Sequence, residues 1–174
     1  MTKYEMRKNM KKWKDMNSTF IKSCYNNSMT IEITHQVGLG KVHDDALKIR
    51  KAVFVAEQGV SLVDEIDTPS NEESARHFVA YVDGTLAATA RALEEEPGVW
   101  HIQRVATLYP LRGKGLGANL IAFIENTATN YDIHTLYLGA QIQAKGFYER
   151  LGFSSYGDEF LDAGIWHVHM KKSC

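Results

Sequence analysis

The segment Arg112-Gly113-Lys114-Gly115-Leu116-Gly117-Ala118 sets three glycines at alternate positions, with two cations among them, between a strand pattern and a helix pattern. The strand pattern is Val99 to Thr107, and the helix pattern, Leu116 to Thr129, carries an apolar stripe of Leu116, Leu120, Ile124 and Ala128. Glycines let a backbone curl close to a ligand, and the unpaired N–H groups of a helix's first turn, with its dipole, face any anion placed there. The segment therefore reads as an anion cradle. It lacks the Gly-Lys-Ser or Gly-Lys-Thr ending of an NTPase phosphate loop. It also lies too late in the chain, with the wrong glycine spacing, for a dinucleotide-binding fold.

Working outward, Thr135 to Leu138 reads as the next strand, so strand, helix and strand form a right-handed crossover whose strands are parallel neighbours. A second helix is predicted over Gln141 to Leu151, burying Ala144, Phe147, Tyr148 and Leu151, and a last strand over Ile165 to Lys171 returns antiparallel. Upstream, Asp83-Gly84 joins strands His77 to Val82 and Thr85 to Leu93 in a hairpin. Ile31, Ile33 and Val37 mark a first strand. A helix capped by Asp44 or Asp45 follows, burying Ala46, Ile49, Val53 and Ala56. Gly59 to Ala75, with Pro69, Ser70, Asn71 and several acidic residues, reads as a surface loop.

Two motifs make a family resemblance specific. Arg112-x-x-Gly115-x-Gly117 resembles the Arg/Gln-x-x-Gly-x-Gly/Ala motif with which the GNAT superfamily holds the coenzyme A pyrophosphate. Ala144-x-x-Phe147-Tyr148-Glu149-Arg150-Leu151-Gly152-Phe153 is similar to a second signature of that family. Arg50 to Val60, Asp64-Glu65-Ile66-Asp67 and Ala75-Arg76-His77-Phe78 resemble its ElaA/YjcF-like branch. The likeness spans about Thr30 to Lys172. It departs at Gly139, where relatives often carry an asparagine whose amide would contact cofactor or substrate.

The resemblance implies a mixed α+β fold: a mostly antiparallel twisted sheet flanked by helices, with a parallel strand pair splayed around acetyl-CoA. It implies an acetyl-CoA-dependent N-acetyltransferase working by direct transfer to an amine in a ternary complex. The implied cofactor contacts are Val105, Ala106 and Thr107 on the strand and Arg112, Gly113, Lys114, Gly115, Leu116, Gly117 and Ala118 on the loop. The Val105 N–H is placed to polarise the thioester carbonyl. Tyr148 matches the position of the family's general acid, its alternative reading being a core tyrosine.

A base must take the ammonium proton. His101 shares a face with Gln103 and Val105 by alternation, and an imidazole suits that work near neutral pH. A half-buried histidine satisfied by the backbone is the equal alternative. His77, Glu65 and Asp67 are weaker candidates. His167 and His169 share one face of the last strand, with no third ligand evident for a metal. Covalent catalysis is disfavoured because neither Cys24 nor Cys174 falls near the motifs.

The 174 residues suit one domain, residues 29–174, preceded by a basic extension, residues 1–28. Met6, Met10, Trp13 and Met16 or Asn17 fall near helical spacing, so the extension reads as helical or partly disordered. It holds seven basic residues against two acidic ones, leaving 13 basic and 19 acidic for the body, which argues against nucleic acid as the partner of the main domain. No membrane span or signal segment is evident, so a cytoplasmic protein is expected. The expected partner is a small-molecule or peptide amine. A homodimer is compatible, since many relatives of the resembled family dimerise. The rival readings are a non-catalytic acyl-CoA-binding module and a nucleotide-binding regulatory domain.

Overall fold

Asp83 and Gly84 both take positive φ, 48° and 76°, closing the two-residue turn around which the first half of the sheet is built. The computed structural model describes residues 20–23, 29–66 and 68–174. Its strands are β1 (Phe20–Ser23), β2 (Thr30–Val37), β3 (Arg76–Val82), β4 (Thr85–Glu96), β5 (Val99–Thr107), β6 (Thr135–Gln141), β7 (Ser154–Asp162) and β8 (Ile165–Ser173). The α-helices are α1 (Lys41–Arg50), α2 (Leu62–Glu65), α3 (Pro69–Ser74), α4 (Leu116–Ala128) and α5 (Lys145–Arg150). One sheet runs in the order β1-β2-β3-β4-β5-β6-β8-β7. Its neighbouring pairs are antiparallel except β5 and β6, which are parallel as the crossover requires.

Helix α4 packs the predicted stripe on one face of this sheet: Leu116, Leu120, Ile124 and Ala128 are all buried. They meet Phe78, Trp100, Ile102, Leu136, Leu138 and Met170. The alanines of β4, Ala88, Ala90 and Ala92, keep the sheet surface low enough for that close approach. On the opposite face α1 buries Val42, Ala46 and Ile49, and the π-helical segment after it, Lys51–Glu57, buries Val53, against Val79 and Ala106.

Several sequence expectations change. Helix α1 starts at Lys41, flanked by Gly40. Asp45 turns inward instead of capping it: burial opposes its charge, but bonds from Lys41 (2.5 Å), Lys48 (2.7 Å) and the Tyr81 hydroxyl (2.8 Å) hold the carboxyl below its usual range. Beyond Arg50 the helix widens into a π-helical segment, Lys51–Glu57, so Ala56 leaves the buried stripe and is exposed. Gly59 to Ala75 holds α2 and α3 where the sequence suggests an irregular loop. Strand β7 has no counterpart in the sequence reading, because it is an edge strand with almost every side chain exposed. The helix expected over Gln141 to Leu151 shortens to α5, since β6 runs on to Gln141 and a 3-10 turn, Ile142–Ala144, intervenes.

Of the extension, Phe20–Ser23 forms β1 and pairs with β2, where the sequence suggests helix or disorder. The helical-spacing residues Met6 to Asn17, Cys24 and the candidate base Asp67 lie outside the described residues.

The short helices α2 and α3 are tied to the sheet by buried charge. Arg50 at the end of α1 donates to the Glu65 carboxylate and carbonyl (2.8 Å to the latter) and to both oxygens of Glu72 (2.9 and 3.1 Å). Arg91 of β4 donates to the same Glu72 carboxylate at 2.8 Å. Breaking such a pair strands a charge in low dielectric at a cost of roughly 3–5 kcal/mol. Glu72→Ala, which leaves two buried guanidiniums short of their acceptor, is therefore expected to lower unfolding stability by about that amount in urea titration at pH 7. A loss below about 1 kcal/mol would show that water or another group takes over.

Candidate active site

The glycine-rich loop has the geometry of a cradle. Gly113 and Gly115 take φ of 74° and 77°, and a Cβ on either would meet nothing within 4 Å, so the glycines serve backbone shape and leave open space. The first helical bond of α4 runs from Asn119 N to Gly115 O at 3.0 Å. The N–H groups of Leu116, Gly117 and Ala118 therefore belong to the first turn, where no carbonyl precedes them, and suit a diphosphate. Gly117 acts through packing instead. A Cβ there would stand 3.3 Å from Phe147 Cζ, so its absence lets α4 approach α5. Arg112 is not a free cation beside the loop. Its guanidinium makes paired bonds to Glu57 (2.6 and 2.8 Å) and its Nε donates to Thr107 O (2.9 Å), fastening the loop to the end of the π-helical segment. Lys114 stays exposed.

Beside this cradle the sheet opens. Strands β5 and β6 pair at Val99 with Thr135, Trp100 with Leu136 and His101 with Tyr137, and their register stops there, although both continue. Arg104 takes φ 54°, and the register with β4 passes from Gln103 to Ala106 while β4 advances from Arg91 to Thr89. At this bulge Arg104 and Val105 fall outside the residue-to-residue register with β4, and β5 and β6 part beyond His101 and Tyr137. Ala106 and Thr107 rejoin β4 opposite Thr89 and Ala88.

Tyr148 on α5 is buried between the rings of Phe147 (4.9 Å) and Phe153 (5.7 Å), in the core on the α4 side of the sheet. Burial raises its hydroxyl above the ordinary tyrosine value, so it stays protonated. His101 lies on the opposite face, since its neighbours Trp100 and Ile102 are the residues that enter that core. The two candidates thus lie on opposite faces of the sheet.

His101 stacks on Tyr137, ring centroids 4.2 Å apart. Its Nδ1 stands 2.8 Å from Glu95 Oε1 and 2.9 Å from Gln103 Nε2. One nitrogen cannot donate to the first and accept from the second. The Gln103 amide is oriented by Arg91, which donates to its Oε1 from Nε (3.1 Å) and Nη2 (2.5 Å), so its NH2 does face the imidazole. The ionised carboxylate is the stronger partner, and it places the proton on Nδ1, leaving Nε2 with the lone pair. Burial lowers the His101 pKa and Glu95 partly offsets that, for a net value below the usual one. Glu95 also accepts from the Tyr137 hydroxyl. Burial works against its charge, but the Tyr137 and His101 bonds keep its carboxyl below the usual range.

The weaker base candidates are committed elsewhere. His77 is fully buried with Nε2 on Glu72 O (3.0 Å), and Glu65 is buried against Arg50 and, at 3.3 Å, Arg104. His167 and His169 share a face, as expected, but both stack on Phe160. Glu95, Tyr137 and Phe160 adjoin these candidates and are not individually singled out by the sequence: Glu95 sits in Glu94 to Pro97, which reads as a variable loop of the kind that builds an acceptor pocket, and Phe160 lies on the unrecognised β7.

Residues 43–174 match the family model described as "Acetyltransferase (GNAT) domain". The chain belongs to the GNAT acetyltransferase family. Among its relatives, Bacillus subtilis YjcF, named as an N-acetyltransferase, is 36% identical over 129 residues, covering 74% of this chain and 90% of YjcF. The crystal structure of Escherichia coli ElaA superposes with a TM-score of 0.70 at 28% identity, over 82% of this chain and 99% of ElaA. An acyl-CoA N-acyltransferase from Pseudomonas aeruginosa gives 0.71 at 28% identity, over 82% and 99%. The mixed sheet of this chain, with the parallel β5–β6 pair and flanking helices, is the GNAT fold.

In this GNAT domain the cradle predicts a sharp substitution effect. Aspartate tolerates positive φ better than most residues, so Gly115→Asp should fold while placing a carboxylate where a diphosphate would sit. Calorimetry with coenzyme A is expected to show at least about a 100-fold loss of affinity, the scale on which a like charge replaces an attractive contact. Unchanged affinity in the folded variant would move the diphosphate site away from this loop.

Proposed function

We propose that the chain transfers the acetyl group of acetyl-CoA directly to an amine, with the diphosphate held by the N–H groups from Gly113 to Ala118 and the pantetheine arm between β5 and β6. The observation that carries this reading is the opening itself: an anion cradle at one end, a bulged strand along one edge, and a histidine–carboxylate pair at its base. The open space around Gly113 and Gly115 fits the group. Acetyl-CoA supplies the activated acyl carbon, and this chain's residues do the rest. The Val105 N–H, at the bulge where the register with β4 shifts, stabilises charge developing on the carbonyl oxygen. His101 takes the ammonium proton on Nε2, directly or through water, while Glu95 holds the ring's tautomer. The amine nitrogen bonds to the acyl carbon, the carbon–sulfur bond breaks, Tyr148 gives its proton to the departing sulfur, and the second proton of the attacking nitrogen, released as the amide forms, restores the Tyr148 hydroxyl through water. Val105, Ala106 and Thr107 line the donor side and Arg112 braces the loop. A small molecule or peptide amine is the acceptor, and the enzyme acts in the cytoplasm. The His101–Glu95 pair favours catalysis over a binding module, since a histidine held in one tautomer at the base of the opening has no use in binding CoA alone.

Removing only the Tyr148 hydroxyl spares the ring packing. Tyr148→Phe is expected to keep folding and acetyl-CoA affinity and to lower kcat by roughly 100-fold on the best amine of a panel, with the acetylated product read by mass spectrometry. Native kcat in this variant would return Tyr148 to a core-packing role.

The pH profile tests His101. A base is competent above its pKa and lost as pH falls through it, so the acid limb of kcat at saturating acceptor should lie below about 6.5. Glu95→Gln removes the partner that raises the imidazole, so the limb should move to still lower pH, and His101→Gln should abolish it. A limb unchanged in His101→Gln would eliminate His101 as the base.

A further inference from the structure

Gly139 lies on β6 two residues past Tyr137, the last residue paired with β5, and on the same face as Tyr137 and His101. A Cβ at position 139 would stand 3.0 Å from Phe160 Cζ, so the Phe160 ring of β7 occupies the space that a side chain on β6 would take. The ring therefore rests on the strand backbone at the rim of the opening. It is also locked there. Phe160 stacks on His169 at 4.2 Å and 20°, and on His167 at 5.6 Å and 25°, while Tyr156 stacks on His169 from beyond at 5.5 Å. Swinging it aside would break this ladder of rings.

Side-chain contacts also line the rest of the mouth on this face. Arg104, at the bulge across the opening, is paired to Glu65 (3.3 Å) and donates to Asp64 O (3.2 Å). At the far end Gln141 of β6 donates to Gln58 at 3.2 Å, and at the base His101 is stacked on Tyr137. An amine reaching the Val105 backbone from this side passes a fixed apolar ring on one flank and a fixed guanidinium on the other.

We propose that Phe160, seated over β6 because residue 139 is glycine, is the specificity wall of the acceptor site, and that it selects primary amines unbranched at the carbon bearing the nitrogen. The inference rests on the acyl-transfer reading and adds the acceptor class. A substituent on that carbon is the first atom of the acceptor to meet the ring, because the nitrogen must reach the opening and the ring stands at its rim. A guanidinium on the other flank offers no room without breaking its pair with Glu65.

The test compares n-butylamine with sec-butylamine, which have the same atoms and differ only in branching, using the full chain and acetyl-CoA. The native enzyme is expected to favour the unbranched amine by at least about 10-fold in kcat/KM, a range typical of one misplaced methyl group. Phe160→Ala should bring the ratio to within about 3-fold, since the wall is then gone, while leaving acetyl-CoA affinity, measured by calorimetry, unchanged. Gly139→Ala should press on the ring and slow both amines, and the double variant Gly139→Ala/Phe160→Ala should recover turnover without recovering selectivity. An unchanged ratio in Phe160→Ala overturns the wall, as does loss of acetyl-CoA affinity, which would put Phe160 on the donor side. If the native chain acetylates no amine, the acyl-transfer reading fails and the wall with it, an outcome distinct from turnover with an unchanged ratio.

Discussion

Two parallel strands that pair over three residues and then part leave backbone donors and acceptors on both inner edges, and every other part of this molecule is arranged around that gap. A buried backbone group without a partner costs on the order of 1–3 kcal/mol. An open sheet interior persists only if something else fixes the strands apart. On the β5 side the bulge at Arg104 supplies the divergence, and the ion pair to Glu65 keeps that positive-φ residue in place. On the β6 side antiparallel pairing with β8 runs without interruption from Thr135 to Gln141, so β6 needs nothing from β5 to remain straight. The gap is then a site whose unsatisfied edge groups are available to an extended, amide-bearing ligand.

The electrostatics follow from the same need. Arg104 leans on Glu65, Glu65 on Arg50, Arg50 on Glu72, Glu72 on Arg91, Arg91 on Gln103, and Gln103 faces His101. This is one polar run from the bulge to the base of the opening. Replacing such a run wholesale by well-packed apolar residues is often neutral for stability. What it supplies is orientation: it fixes the Gln103 amide beside His101, whose ring is held by Glu95 and by stacking on Tyr137. Helices α2 and α3, too short to be stable alone, serve mainly to present Glu65 and Glu72 to it.

How much of this the sequence discloses depends on how local the cause is. The Asp83-Gly84 hairpin, the stripe of α4 and the crossover between β5 and β6 are written in neighbouring residues, and they are legible. The π-helical widening that exposes Ala56 is not, because a helix pattern at Ile49 and Val53 looks the same with or without one extra residue in the turn. Strand β7 escapes notice because its alternation is broken by a register shift between Tyr156 and Glu159 and its side chains are nearly all exposed. Periodicity marks burial, and an edge strand has little to mark.

The two halves of the proposed site differ in the same way. The donor half is backbone: glycines at positive φ, first-turn N–H groups and a bulged strand. Because backbone needs special residues only where its dihedrals or its clearances are unusual, Gly113, Gly115 and Gly117 advertise it within one short run of the chain. The acceptor half is side chains from strands far apart in the chain: Glu95 at the end of β4, His101 on β5, Tyr137 and Gly139 on β6, Phe160 on β7 and His169 on β8. The sequence singles out His101, His169 and Gly139 one at a time, but Glu95, Tyr137 and Phe160 do not stand out from their neighbours. Gly139 by itself reads as a loss, an amide missing from a strand, until β7 brings the Phe160 ring into the vacated space. The missing side chain and the ring are one feature split across two strands. A family that must keep one donor and change its acceptor can hold the first half constant and vary the second, since substitutions on β7 and β8 leave the backbone of the cradle untouched.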